Sequence, residues 1–283
     1  MIKNVSTGER LEFYEFSDVT VEHLHRYAIA NDFVVNKKVL DIASGEGYGS
    51  YLLSKLADSV IGVDIDSVSV ENAYKKYKSP NLTFLVGKAD NIPIKSNSID
   101  IVVSFETIEH HDKHEEMFME IKRVLKNDGI LIMSSPDKKF YSDEPNFKNK
   151  FHVKELYFEE FKSLTQKHFK NSFFYFQKAY NLNSYLSEND FFENMVVYSG
   201  SNDNIFKSKN DPLYNLVIAS DVKTNKIQPS IFNGVSISNL ITKSIIDRNT
   251  KLYKDSTSYK IGNIICTPFF YLKKLFFLIK NKL

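Results

Sequence analysis

Five short, almost uninterrupted apolar runs organise the first half of the chain, at Lys38–Ile42, Val60–Asp64, Leu82–Val86, Ile99–Ser104 and Ile130–Ser134. Runs of this kind are expected for strands covered on both faces, as in a parallel sheet. Between them, apolar positions recur at helical spacing over Tyr48–Leu56, Ser67–Tyr77 and Lys113–Leu125, and Asn127-Asp128-Gly129 supplies a stop for the third helix. An earlier helix is predicted from an N-cap at Thr20, with Val21, Leu24, Tyr27, Ala28 and Ile29 on its apolar face. Strand-helix alternation at this spacing predicts an α/β fold with a doubly wound, mostly parallel, seven-stranded sheet. Such a sheet binds ligands beyond the carboxyl ends of its strands.

After Pro136 the pattern loosens. Residues 137–151 read as a loop, Lys154–Lys167 as a helix, and Phe173–Phe176 and Leu213–Ala219 as two further strands. The stretch 178–211 is aromatic, Asn-rich and irregular, and reads as an inserted lid. The predicted organisation is a lead with a covering helix (1–36), a catalytic α/β domain (37–222) and a basic, helical C-terminal extension (223–283).

The richest motif is Val39-Leu-Asp-Ile-Ala-Ser-Gly45-Glu-Gly47-Tyr-Gly49. A strand there runs into a glycine turn that opens a helix, leaving backbone N–H groups clear for a ligand. Nicotinamide- and flavin-binding folds use such turns too, but Ser50 stands where their fingerprint requires a third-spaced glycine. Asp41, inside the strand, suits a cationic ligand better than a pyrophosphate. Asp64 ends the second strand, where a carboxylate accepts ribose hydroxyls. Gly87-Lys-Ala-Asp90-Asn91-Ile-Pro93 follows the third strand, with Asp90 able to accept from an adenine amino group.

Together, VLDIASGEGYGS, GVDID, GKADNIP, SFETIEH and RVLKNDGILIMSSP resemble the class I S-adenosylmethionine-dependent methyltransferases, particularly the O-methyltransferase branch associated with bacterial lipopolysaccharide and O-antigen. The resemblance runs roughly from Gly8 to Ala219 and implies a Rossmann-like methyltransferase fold and S-adenosylmethionine as the methyl donor. It implies donor contacts from Asp41, Ala43, Gly45, Gly47, Asp64, Ile65, Asp90, Asn91 and Phe105. The segment Gly8-Glu9-Arg10 with His25-Arg26-Tyr27 is similar to a lead helix that folds over the donor. Arg26 is then a candidate partner for the methionine carboxylate, and a plain surface charge is the alternative.

Methyl transfer to a hydroxyl needs proximity and removal of a proton. Glu106, Glu109 and His110 lie after the fourth strand at spacings that converge on one face of a short turn, and His152 lies in a later segment on the same side. The E-x-x-E-H pattern with a later His resembles the divalent-metal site of small-RNA 2′-O-methyltransferases and is similar to some quinone O-methyltransferases. It makes Glu106, Glu109, His110 and His152 candidate ligands for Mg²⁺ or Mn²⁺. The alternatives are a metal-free base at His110 or His152, with Glu106 as a further catalytic candidate, or groups that only hydrogen-bond the loop. His111 and His114 read as solvated helix residues.

Composition adds limits. A formal net charge of +2 gives no ground for expecting a nucleic-acid partner. One cysteine, Cys266, excludes an intramolecular disulfide framework and fits a reducing compartment. The polar opening MIKNVSTGERLEF lacks the apolar core of a signal peptide, so a cytoplasmic chain is expected. Residues 251–283 carry seven lysines against one acid, Asp255, a formal +6. Their last part sets Lys273, Lys274, Lys280 and Asn281 on one narrow helix side, the rest being apolar. No uncharged run reaches the ~20 residues of a membrane span. The tail therefore fits a helix lying on the inner membrane surface or one docking on protein, its own domain or an oligomer partner.

The expected function is O-methylation of a sugar hydroxyl in a bacterial surface glycan. The alternatives are a quinone or other small-molecule O-methyltransferase, methylation of RNA, or a catalytically silent subunit that binds S-adenosylmethionine.

Overall fold

The structure, a computed structural model, describes residues 17–188, 192 and 194–280. The chain divides into two units between Gly234 and Val235. The predicted lead segment Gly8-Glu9-Arg10 lies outside the described residues.

In the first unit, α1 (Asp18–Val34) precedes β1 (Lys38–Ile42), α2 (Tyr48–Ser54), β2 (Ser59–Asp64), α3 (Ser67–Lys76), β3 (Leu82–Val86) and β4 (Ile99–Ser104). A 3₁₀ turn (Ile108–His110), α4 (His114–Val124), β5 (Leu125–Pro136), a π-helical turn (Lys139–Asp143) and α5 (Phe158–His168) follow. The remaining strands are β6 (Asn171–Tyr180), β7 (Asn183–Ser187), β8 (Val197–Gly200), β9 (Ile205–Ser208), β10 (Tyr214–Ser220) and β11 (Ser230–Asn233).

The main sheet has the order β11-β7-β6-β10-β5-β4-β1-β2-β3. Pairing from β3 to β5 is parallel throughout, and β10, β6, β7 and β11 add on in antiparallel pairs. Only β10 and β7 therefore run against the other strands. The sheet is mostly parallel as expected, but among the described residues it has nine strands, two more than the seven predicted. The extra strands are β7, drawn from the stretch read as a lid, and β11. Both are short and polar, so no apolar run announces them. β8 and β9 pair with each other as a separate hairpin. β5 begins at Leu125 instead of Ile130, because Leu125 pairs with Ile99 across an irregularity that absorbs the Asn-Asp-Gly turn.

Side chains alternate across the sheet. In β1, Val39 joins α1, α2 and α3 in one apolar layer, while Leu40 and Ile42 join α4 and α5 in the other. Asp41 shares its parity with Val39 and so points into the α1–α2 layer. The helix α1 departs from its predicted face. Ala28 is exposed, and Glu22, His25 and Arg26 are buried beside Val21, Tyr27, Ile29 and Ala30. Its N-cap is Ser17, whose N–H donates to Thr20 Oγ1 at 3.1 Å, so Thr20 sits one turn inside the helix.

The second unit comprises α6 (Val235–Asp255) and α7 (Thr257–Lys280). Ile261, Ile264, Ile265, Phe269, Phe270 and Tyr271 of α7 are exposed. No described helix is long and apolar enough to cross a membrane. Lys273, Lys274, Lys280 and Asn281 lie outside the described side chains.

Candidate active site

The strand order reverses direction between β1 and β4, and there the carboxyl-end loops part to leave a cavity of about 440 Å³. The volume suits a nucleoside-sized ligand. Ala43 and Gly45 come from the loop after β1, Asp64 from the end of β2 and Ile65 from the residue after it, Asp90 from the turn after β3, and Phe105, Glu106 and His110 from the loop after β4.

Gly45 has a φ of 52°, and a Cβ built there meets nothing within 4 Å. The space such a methyl would occupy is therefore open. Asp64 accepts from the N–H of Gly45 at 2.8 Å and from that of Asp66 at 2.9 Å, which fixes the carboxylate at the end of β2. Ile65 is 65% exposed, an apolar face left beside that carboxylate. Asp90 is tied to Lys113 Nζ at 2.6 Å, and this pair holds its carboxyl below the usual range. An open glycine cradle, a fixed carboxylate and an apolar shelf fit an adenosyl group.

Four expected donor contacts are placed elsewhere. Asp41 lies behind the glycine turn and not on the cavity wall. Ser50 Oγ donates to it at 2.6 Å and the Tyr27 hydroxyl lies 3.4 Å from both its oxygens. Burial pushes this carboxyl up to about 7, against the pull of those donors. Gly47 also sits off the wall; with φ of 81° it caps α2, and a Cβ there would come within 2.6 Å of Phe84. Asn91 closes the Lys88–Asn91 turn through its own backbone.

Arg26 lies farthest from its expected place. It is fully buried, neither a surface charge nor a cavity residue. Its Nε donates to Gln177 Oε1 at 2.7 Å, its guanidinium lies 4.3 Å over the Tyr214 ring, and Nη1 is 3.4 Å from Glu106 Oε1. Gln177 passes the network on, donating to Ser184 Oγ at 2.8 Å and to the carbonyl of Glu22 at 3.0 Å. His25 bridges Ser184 and Ser230, and burial lowers it to about 4, so it is a neutral link between β7 and β11.

Of the catalytic candidates, Glu109, His110 and His152 gather so that one ligand atom from each lies within 4.8 Å of the others. Glu106 is drawn away from them by Arg26 and by the Ser134 hydroxyl, which donates to it at 2.6 Å. The fourfold metal set expected from the sequence is therefore not assembled. Glu109 is buried, which together with nearby Glu106 raises its carboxyl well above the usual range. His110 Nδ1 faces the Phe151 carbonyl at 3.1 Å, which makes Nδ1 the donor and assigns the lone pair to Nε2. That Nε2 lies 3.8 Å from Glu109. His152 meets His110 edge to face at 5.2 Å. Its Nδ1 is bonded to Glu155 at 2.5 Å, and Asn149 lies 3.0 Å from its Nε2. His111 and His114 are not solvated: His114 is buried, bonding the His111 carbonyl at 2.7 Å, and half-buried His111 lines the cavity.

Sequence patterning missed His23 and Tyr48, whose side chains meet at 3.0 Å on the cavity wall. Burial lowers His23 to about 3. A polar side chain on the buried side of α1 was the available signal.

Residues 40–133 match the protein family described as a methyltransferase domain. An S-adenosylmethionine-dependent methyltransferase of Mycobacterium tuberculosis is 34% identical over 131 residues, 45% of this chain and 46% of that protein. The phthiotriol/phenolphthiotriol dimycocerosates methyltransferase of Mycobacterium leprae is 30% identical over 117 residues, covering 40% and 43%. Mouse arsenite methyltransferase is 36% identical over 115 residues, covering 35% and 30%. In each case under half of the relative's length is spanned. Among solved structures, a Bacillus halodurans methyltransferase superimposes with a TM-score of 0.52 at 12% identity, over 71% of this chain and 99% of that one. A Thermotoga maritima S-adenosylmethionine-dependent methyltransferase gives 0.50 at 18%, over 72% and 91%. These two likenesses concern the fold.

Proposed function

We infer that this chain, which carries a class I S-adenosylmethionine-dependent methyltransferase domain, methylates an acceptor hydroxyl, and that the acceptor is a sugar of a bacterial surface glycan. The observation that carries the transfer is that Asp64 and His110 line one cavity. Asp64 would hold the ribose, Gly45 would let the donor approach the backbone, Ile65 would pack on the adenine, and Asp90 would accept from its amino group.

When bound, S-adenosylmethionine would supply a methyl group on a sulfonium, the new O–C bond replacing the C–S bond and the sulfur leaving as a neutral thioether. The protein's tasks are alignment and removal of the hydroxyl proton. His110 Nε2 accepts that proton, its tautomer set by the Phe151 carbonyl. Glu109, 3.8 Å away, faces the imidazolium that results.

A divalent cation is a second reading, favoured by the Glu109–His110–His152 grouping and by the oxygen partner on each His Nδ1. It requires Asn149 to release His152 Nε2. Chelation of the purified enzyme separates the two readings.

The matched family segment ends at Met133, before the segment that carries His152. The relatives' names give phthiotriol and phenolphthiotriol dimycocerosates in one case and arsenite in another, so they do not decide the acceptor. The glycan acceptor is supported by the motif resemblance and by the basic, apolar tail, which we propose rests on an anionic lipid surface. Mass spectrometry of the surface glycan with and without the gene tests it. Loss of one methyl increment is expected; an unchanged glycan would direct attention to small-molecule acceptors.

A further inference from the structure

A second cleft, of about 480 Å³, opens where the histidine pair ends. Its walls come from the segment between β5 and α5, including the π-helical turn at Lys139–Asp143. Such wide turns recur at functional sites. The two cavities share no lining residue, yet His110 lines the first, His152 lines the second, and the two rings are in contact. A molecule in the second cleft that touches His152 is therefore one imidazole ring away from the group assigned the hydroxyl proton.

The charges in the cleft are unequal in their commitments. Asp143 accepts from the Tyr157 hydroxyl at 2.7 Å, and Glu155 is bonded to His152. Lys148 and Lys154 line the same cleft and form no ion pair among the described residues. Phe147 lines it too and is 52% exposed, held edge to face by Tyr141 at 5.9 Å. An exposed ring beside unneutralised ammonium groups matches a ligand that has both an apolar ring face and an anion. A sugar acid or sugar phosphate has this character: its C–H face packs on an aromatic ring and its oxyanion meets the lysines. An uncharged quinone would leave both lysines without a role.

We propose that this cleft is the acceptor subsite and that the acceptor is an anionic sugar, its carboxylate or phosphate held by Lys148 and Lys154 with its ring on Phe147. The proposal rests on the methyltransferase reading and narrows its substrate class.

The test uses the full chain, with ¹⁵N-labelled amides observed during separate titrations of glucuronate, glucose 1-phosphate and glucose, each with S-adenosylhomocysteine present. Glucuronate, glucose 1-phosphate or both are expected to shift the amides of Lys148, Asn149 and His152, and the stronger of the two identifies carboxylate or phosphate as the anion. Glucose is expected to bind at least about tenfold more weakly. The doubly substituted Lys148→Gln, Lys154→Gln protein should lose the anion response by a similar factor while its affinity for S-adenosylhomocysteine stays within about twofold. Equal responses to glucose and the charged sugars, shifts confined to other regions, or an undiminished response in the double variant would each overturn the proposal. Failure of S-adenosylhomocysteine to bind the unsubstituted protein would instead defeat the methyltransferase reading itself.

Discussion

Arg26 of α1 and Glu106 of the loop after β4 form a buried ion pair at 3.4 Å, with the arginine fully enclosed. Glu106 has a φ of 51°, a backbone state that costs a residue with a side chain about 1–3 kcal/mol. Arg26 and the Ser134 hydroxyl hold it there, so α1 sets the shape of the loop that continues to His110. Arg26→Met would strand Glu106 and Gln177 without their partner. A loss of about 3 kcal/mol in urea unfolding is expected, part of it recovered by adding Glu106→Gln. Stability within about 0.5 kcal/mol of the parent would show that the pair is not structural.

Glu22 gives a pH signature. Burial raises its carboxyl to about 7, with Arg26 opposing the rise and Glu106 adding to it. The folded protein therefore keeps a proton that the unfolded chain releases near ~4.3. The stability linked to that proton is fully present below about pH 4 and is lost as pH climbs to about 7. Glu22→Gln removes the titration and keeps an acceptor for the Ala179 N–H, now 3.0 Å from Oε1. Relative to the parent, the variant should gain about 2–3 kcal/mol between about pH 4.5 and 7.5. Parallel pH–stability curves would contradict an enclosed carboxyl at this position.

His110→Ala is expected to lower kcat by about 10²–10⁴, with donor affinity changed far less. EDTA should leave turnover intact if His110 acts alone. Loss of turnover on chelation, restored by Mn²⁺ and matched by an equal loss in Glu109→Gln, would favour the cation reading. Full activity of both His110→Ala and His152→Ala would defeat both.

The parallel core was legible because strands covered on both faces must be apolar along their whole length. Lys38–Ile42, Leu82–Val86 and Ile99–Ser104 begin and end at their predicted residues. What escaped was held by polar contacts between distant segments. Arg26 is enclosed because Gln177 and Glu106 come to it from far along the chain, and no local period reports such partners. β7 and β11 pair through Asn183–Ser187 and Ser230–Asn233, stretches too polar to read as strands. The motif position of Asp41 points to the ligand, although its parity with Val39 turns it toward Ser50 and Tyr27.

For the tail, α7 presents six apolar side chains to solvent in a segment with excess lysine. The full chain should cosediment with vesicles containing phosphatidylglycerol at low salt and dissociate as salt rises. Removal of residues 257–283 should abolish cosedimentation without altering S-adenosylhomocysteine affinity. Equal sedimentation with neutral phosphatidylcholine vesicles, or none with either, would contradict an electrostatic lipid surface contact.

Calorimetric titration of S-adenosylhomocysteine into the parent and into Asp64→Ala tests the donor site most directly. Charge-assisted hydrogen bonds from a ribose to Asp64 would contribute about 1.5–3 kcal/mol. The parent should bind with one site per chain, and the variant roughly ten- to a hundredfold more weakly. NAD should produce no heat at the same concentrations. Unchanged affinity in Asp64→Ala, or tight binding of NAD by the parent, would contradict a donor site built on the end of β2.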